Sequence, residues 1–165
     1  MSAQTFPVDA ASGKIYYAEE VLVKDGPKSD LYNRAKAWFS SSKNKKALNV
    51  DDVDNGLLIG SNYSLLLVCD GNQNQTFRLW YTVKLEVDDD RFWYSLSDFK
   101  IQKVAIPEVS VSGENKEPMQ PLEDLAFSKK MADLKEKEKI FYKSLAEAAR
   151  KSVLALIEDM KANML

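Results

Sequence analysis

Carboxylates are the side chains best placed to do chemistry in this chain, because its 165 residues include 25 Asp and Glu, one cysteine (Cys69) and no histidine. Without histidine, the group best suited to proton transfer near neutral pH is missing, together with the commonest metal ligand. A single cysteine allows neither an intrachain disulfide nor a cysteine-based zinc site. Two carboxylates converging across a cleft could hydrolyse a glycosidic bond. Here Asp51, Asp52, Asp54 and the triplet Asp88-Asp89-Asp90 all fall where turns are expected, so solvated turn-formers are the preferred reading. The string Asp51-Asp52-Val53-Asp54-Asn55-Gly56 invites a calcium-loop reading. With Gly56 at the sixth loop position, however, Val53 stands where an oxygen ligand is required and Asn62 where a bidentate glutamate is. For Asp88-Asp89-Asp90 a hydrated hairpin tip is preferred to a weak cation site. No Gly-x-Ser-x-Gly elbow, P-loop or Gly-x-Gly-x-x-Gly string occurs. The expectation is no enzyme, no cofactor and no bound metal.

The second feature able to do chemistry is aromatic. From Thr76 to Val87 the residues alternate, with Phe77, Leu79, Tyr81, Val83, Leu85 and Val87 on one side and Arg78, Trp80, Thr82, Lys84 and Glu86 on the other. The next strand adds Trp93, Ser95 and Ser97 to the second side, and Tyr16 from the first strand is expected to join them. Flat apolar area beside polar groups that can orient a ligand is what a binding surface needs. The candidate ligand-binding residues are therefore Trp80, Trp93, Arg78, Lys84 and Tyr16. Two bland alternatives compete: the segment from Pro107 to Pro121 folds over the tryptophans, or the rings serve cross-strand packing. Stacked bases could also use such rings, but a net charge of −2 argues against a nucleic-acid partner.

The elements that must position these residues follow from punctuation and period. Lys14 to Lys24 reads as a strand ended by Asp25-Gly26-Pro27. A helix follows, with Ser29 as N-cap, Asp30 in the first turn, and Leu31, Ala35, Trp38 and Phe39 on its apolar face. Strands over Ala47–Val53 and Leu57–Cys69 are joined at Asp54-Asn55-Gly56. The second leads through Asp70-Gly71-Asn72 into the alternating strand, and Arg91 to Ile101 returns. A turn at Asp89-Asp90 would set Leu85 opposite Tyr94 and Val83 opposite Leu96, so the apolar faces agree. Lys103 to Pro121, broken by Pro107, Gly113, Pro118 and Pro121, reads as a long and partly mobile connection. The C-terminal helix carries Leu134, Phe141, Leu145, Ala148, Ala149, Leu156 and Met160 on one face. The order β-α-β-β-β-β-α predicts a single α+β domain over residues 14–165, preceded by a flexible segment over residues 1–13. Its antiparallel sheet has two helices packed on one face. No run of about 20 apolar residues is present, so no transmembrane helix is expected.

Four strings, in order, carry a likeness that covers roughly Lys14 to Lys103. They are Leu31-Tyr32-Asn33-Arg34-Ala35-Lys36-Ala37-Trp38-Phe39, Gly56-Leu57-Leu58-Ile59-Gly60, Tyr81-Thr82-Val83-Lys84-Leu85-Glu86-Val87 and Arg91-Phe92-Trp93-Tyr94-Ser95-Leu96-Ser97-Asp98-Phe99. On these the chain resembles a bacterial family of domains of unknown function, DUF4468, described as having a TATA-binding-protein-like (TBP-like) fold. It departs where Asp88-Asp89-Asp90 replaces an Asp-Gly turn and where Ser61-Asn62 follows Gly60. The resemblance implies a TBP-like fold and export in a Gram-negative bacterium behind a signal peptide. It brings no catalytic residues, and a fold shared with a DNA-binding protein is no argument for binding DNA. Ser2-Ala3-Gln4-Thr5 fits the stub beside a signal-peptidase site, with Met1 an added start. The alternative is an ordinary flexible terminus on a cytoplasmic protein. The functional expectation is a non-enzymatic binding module of the cell envelope, exported or periplasmic, for a protein, peptide or glycan ligand. The alternative is a structural subunit that self-associates through its sheet.

Overall fold

The computed structural model describes residues 6–41, 47–70, 73–104, 117–127 and 135–165. In chain order the elements are β1 (Tyr17–Leu22), α1 (Lys28–Ser40), β2 (Ala47–Asp52), β3 (Leu57–Asp70), β4 (Gln73–Asp88), β5 (Arg91–Lys103), β6 (Met119–Pro121), α2 (Leu122–Phe127) and α3 (Glu136–Met164). Strands hydrogen-bond in the order β1-β5-β4-β3-β2, and β6 also pairs with β5. β1 is antiparallel to β5, with Tyr17 opposite Leu96 and Leu22 opposite Arg91. β2 is antiparallel to β3, with a register shift between Leu48 and Val50. Helices added to an antiparallel sheet make this the α+β class that the order of elements predicts. The connection after Lys103 differs from expectation. Its last residues form β6, with Gln102 opposite Met119 and Lys100 opposite Pro121, and lead directly into α2. A three-residue strand ending in proline offers no period to read. Pro107, Gly113, Leu134, the Gly71-Asn72 turn and the basic loop over residues 43–46 lie outside the described residues.

Contacts divide the chain into two compact units, built from Met1–Phe6, Tyr63–Trp80 and Phe99–Val153 in the first and Pro7–Asn62, Tyr81–Asp98 and Leu154–Leu165 in the second. In the second unit α1 buries Leu31, Tyr32, Ala35, Trp38 and Phe39. The end of α3 contributes Ile157, Met160 and Met164 to the same core. Each such apolar side chain, fully buried, stabilises by about 1.5–3 kcal/mol. The helices are also tied by polar bonds. Trp38 Nε1 donates to Asp159 Oδ2 at 3.0 Å, and Arg34 Nη1 donates to the Met164 carbonyl at 2.9 Å. The second bond satisfies one of the carbonyls that a helix C-terminus leaves open.

The start of α1 corrects the sequence reading. The helix begins at Lys28 after Pro27, and no side chain at the cap position takes a helix amide. The acceptor comes instead from the β4–β5 turn: Asp89 Oδ1 accepts the Lys28 amide at 2.9 Å and Asp90 Oδ1 the Gly26 amide at 2.9 Å. Main-chain bonds lock the same junction, from Val23 N to the Asp90 carbonyl and from Asp90 N to the Gly26 carbonyl. A carboxylate at a helix N-terminus is held by both the amide and the dipole, whichever part of the chain supplies it. Across the junction Gly56 has φ 63°, and a Cβ there would lie 2.5 Å from the Val87 carbonyl oxygen, so the β2–β3 turn requires glycine.

In the first unit the buried residues come from Leu66 and Val68 of β3, Phe77 and Leu79 of β4, Phe99 and Ile101 of β5, Leu122 of α2, and Leu145, Ala149 and Val153 of α3. Phe77 meets the Phe141 ring at 5.9 Å. The alternation of β5 changes phase within the strand. Phe92, Tyr94 and Leu96 are buried before Asp98, and Phe99 and Ile101 after it. Asp98 itself has φ 56°, the backbone mark of a β-bulge.

Candidate functional site

Three strands of the second unit put a small set of side chains around Trp93. Period-two alternation carries Tyr16, Ala18 and Glu20 to one side of the β1 segment, Lys84 and Glu86 to one side of β4, and Trp93 and Ser95 to one side of β5. The pairing brings them together, since Glu20 lies opposite Trp93 and Ala18 opposite Ser95. All seven line an open cavity of about 460 Å³, with Glu19 and Tyr94 completing it. The next residue along the strand, Tyr94, belongs to the helix side: Lys161 Nζ of α3 lies 5.7 Å from its ring centroid and 2.6 Å from Glu19 Oε1. Trp93 therefore points away from α3, half-buried, beside a Tyr16 that is 42% exposed.

The charges here are arranged in pairs. Lys84 Nζ meets Glu86 Oε1 at 2.7 Å, and Arg91 Nη1 meets Glu20 Oε1 at 2.9 Å. The Arg91 guanidinium also stands 6.0 Å from the Trp93 ring centroid, at the outer limit of a cation–π contact. Behind the cavity, burial pushes the Tyr94 hydroxyl above its ordinary range, with a further push from Glu19. The hydrogen bond to Glu19 holds Lys161 charged to higher pH than usual. Neutral polar groups are treated differently from the charges. The Trp93 indole N–H and the hydroxyls of Tyr16 and Ser95 form no hydrogen bond among the described residues.

Trp80 and Arg78, the other two candidates, belong to the first unit and meet different partners. Trp80 tilts against Tyr63 with ring centroids 4.8 Å apart, and the Arg78 guanidinium lies 4.7 Å over the same Tyr63 ring. Trp80 Nε1 donates to Gln102 Oε1 at 2.9 Å, and Gln102 Nε2 donates to the Glu117 carbonyl at 2.9 Å. Gln102 is 4% exposed and lies opposite Met119, so the polar edge of this tryptophan is taken up by a buried side chain. The Arg78 Nε is buried without a hydrogen-bond partner among the described residues. The five candidates therefore fall into two groups with different surroundings. Only Trp93, Lys84 and Tyr16 line the cavity, while Trp80 and Arg78 form a packed aromatic cluster. Glu20 was missed although the same alternation from Tyr16 reaches it. Tyr63 and Gln102 left no such trace, because Tyr63 stands in the polar stretch Gly60-Ser61-Asn62-Tyr63-Ser64 of β3, and the change of phase at Asp98 alters the side on which Gln102 stands.

The acidic turns prove to be structural. Besides Asp89 and Asp90, Asp51 accepts a short hydrogen bond from the Tyr32 hydroxyl and pairs with Lys36 Nζ at 2.9 Å. These two bonds, the Tyr32 one first, hold the Asp51 carboxyl below the usual range. Asp52 accepts from both the amide and the side chain of Asn55, which lowers its carboxyl likewise. Among the described residues no three His, Cys, Asp or Glu side chains converge as metal ligands. Cys69 is exposed, with its Sγ 3.0 Å from Asn74 Oδ1. No helix of the described residues is long and apolar enough to cross a membrane.

Comparison with known proteins places the fold in a family. The family described as "Domain of unknown function (DUF4468) with TBP-like fold" matches residues 17–102. A TBP-like protein from Parabacteroides distasonis superposes with a TM-score of 0.66 at 20% identity, over 93% of this chain and 94% of the other. A DUF4468 family protein from Bacteroides ovatus superposes with a TM-score of 0.56 at 11% identity, over 93% and 90%. No curated protein matches the chain. The chain belongs to the DUF4468 family and has its TBP-like fold.

Proposed function

We propose that this DUF4468 member is a non-enzymatic binding module of the bacterial cell envelope, exported or periplasmic, whose ligand occupies the cavity in front of Trp93. The observation that carries the reading is a cavity of about 460 Å³, within the range usual for ligand sites, lined by an aromatic ring with an unused hydrogen-bond donor. Asp51, Asp52, Asp88, Asp89 and Asp90 are engaged in turns and Glu20 and Glu86 in ion pairs, which supports binding over catalysis. The test is collisional quenching of a chain whose other tryptophans are replaced by phenylalanine (Trp38→Phe, Trp80→Phe). Trp93 emission is expected to be solvent-shifted and readily quenched by acrylamide. Full shielding of Trp93 in the isolated monomer would overturn the reading.

One observation favours a second reading, an assembly subunit. Leu65 and Leu67 on β3 are 64% and 67% exposed. They lie beyond Ser61, where pairing with β2 ends among the described residues. Sedimentation over a concentration range decides it: a strict monomer removes this reading, and an oligomer dispersed by Leu67→Lys supports it.

A further inference from the structure

We propose that the Trp93 cavity takes a neutral saccharide. The inference rests on the binding reading above and names the ligand class from the division of labour among the lining groups. The charged lining side chains have counter-ions in place: Lys84 with Glu86 at 2.7 Å, Glu20 with Arg91 at 2.9 Å and Glu19 with Lys161 at 2.6 Å. An ionic ligand would have to displace one of these partners. The neutral groups are the ones left open, namely the Trp93 indole N–H and the hydroxyls of Tyr16 and Ser95, none bonded among the described residues. A ligand matching this set offers hydroxyls that both donate and accept, together with an apolar C–H face to lie on the indole. A paired carboxylate still keeps lone pairs free for such hydroxyls. A sugar ring has both properties and no charge. The aromatic ring supplies the apolar area, and the polar groups around it fix the orientation.

The experiment follows the indole N–H resonances of the full-length protein in 15N-labelled form. It is titrated with cellohexaose, xylohexaose and mannohexaose, with a heparin hexasaccharide as anionic probe and hexalysine as cationic probe. At least one neutral oligosaccharide is expected to shift the Trp93 indole signal and leave that of Trp80 in place. Its affinity should change by less than about twofold between about 0.1 M and about 1 M NaCl, over which the screening length falls from about 10 Å to about 3 Å. Trp93→Ala should weaken binding at least about tenfold, or about 1.4 kcal/mol, and Trp93→Phe, which keeps a stacking ring, should restore most of it. Glu86→Gln, which leaves Lys84 without its partner, should add affinity for the heparin fragment. A charged probe that alone shifts Trp93, with salt-dependent affinity, overturns the saccharide class and leaves the cavity as a binding site. Silence of Trp93 toward all the probes also overturns the proposal. In that case the quenching measurement on Trp93 separately reports whether the cavity is open at all.

Discussion

Around Trp80 the indole N–H is spent inside the chain, on a glutamine that passes its own hydrogen bond to a main-chain carbonyl. The ring is covered by Tyr63, and Arg78 closes over Tyr63 in turn. Around Trp93 the indole N–H is spent on nothing within the described residues, and the charges nearby neutralise one another instead of reaching for the ring's polar edge. Both tryptophans leave the same side of one period-two pattern. What separates them is a set of neighbours that local pattern does not contain. An aromatic residue on the second face of a sheet is thus no evidence of a site by itself. The state of its polar atom is the informative observation.

Replacing each tryptophan should break the comparison most directly. Trp80→Ala removes a packed ring together with its hydrogen bond to Gln102, and is expected to destabilise by about 3 kcal/mol. Trp93→Ala should cost about 1 kcal/mol or less, as at a half-buried position whose ring makes one cation–π contact at the outer limit of its range. Urea unfolding of both variants checks this, and equal losses would erase the distinction between the two sites. Next in size, Gln102→Leu removes the acceptor of the Trp80 donor and the bond to the Glu117 carbonyl, for an expected loss of about 1–3 kcal/mol. The Trp80 indole resonance should move toward its solvent position while that of Trp93 stays fixed. Movement of both would mean that the two clusters are coupled.

The smallest effect concerns the helix side of the strand that carries Trp93. Lys161 has a raised pKa in the folded state, chiefly through its hydrogen bond to Glu19, and the Tyr94 hydroxyl is raised by burial and then by Glu19. For both groups the folded state holds the proton more tightly than the unfolded chain. Their contribution is therefore fully present below the ordinary values, about 10.4 and about 10, and is lost as pH climbs through the raised ones. Glu19→Gln should lower stability by about 0.2–1 kcal/mol at neutral pH, the range for half-exposed pairs. The difference from the parent should shrink in strongly alkaline solution. Thermal melts across the alkaline range measure it, and a parent curve as flat as that of the variant would show that the Glu19–Lys161–Tyr94 contact contributes nothing.

Much of the fold was legible. The strict alternation of Phe77 to Val87 and the helical spacing of Leu31, Ala35, Trp38 and Phe39 are direct imprints of one buried face, and the family strings agree with them. The start of α1 was not, because its carboxylate acceptor, Asp89, comes from another hairpin and Ser29 offered a plausible local substitute. β6 was invisible because it is short, ends in proline and owes its existence to the edge of β5. In the candidate site, Trp93, Lys84 and Tyr16 followed from period alone. Their separation from Trp80 and Arg78 depended on Gln102, whose placement beside Trp80 follows a change of phase at a single aspartate with positive φ. Residues with left-handed backbone are the points at which sequence periodicity stops predicting faces.

The carboxylate that completes the start of α1 sets an order of events for a chain emerging from the ribosome. Asp89 follows Lys28 by 61 residues. At about 5–20 residues per second of synthesis, roughly 3–12 s pass before the first amide of the helix can meet its acceptor. Through that interval the start of α1 lacks this acceptor, and the β4–β5 hairpin is the piece that supplies it. The chain's earliest helix is thus among its late-completed structures, held ready until a turn made much later arrives to cap it.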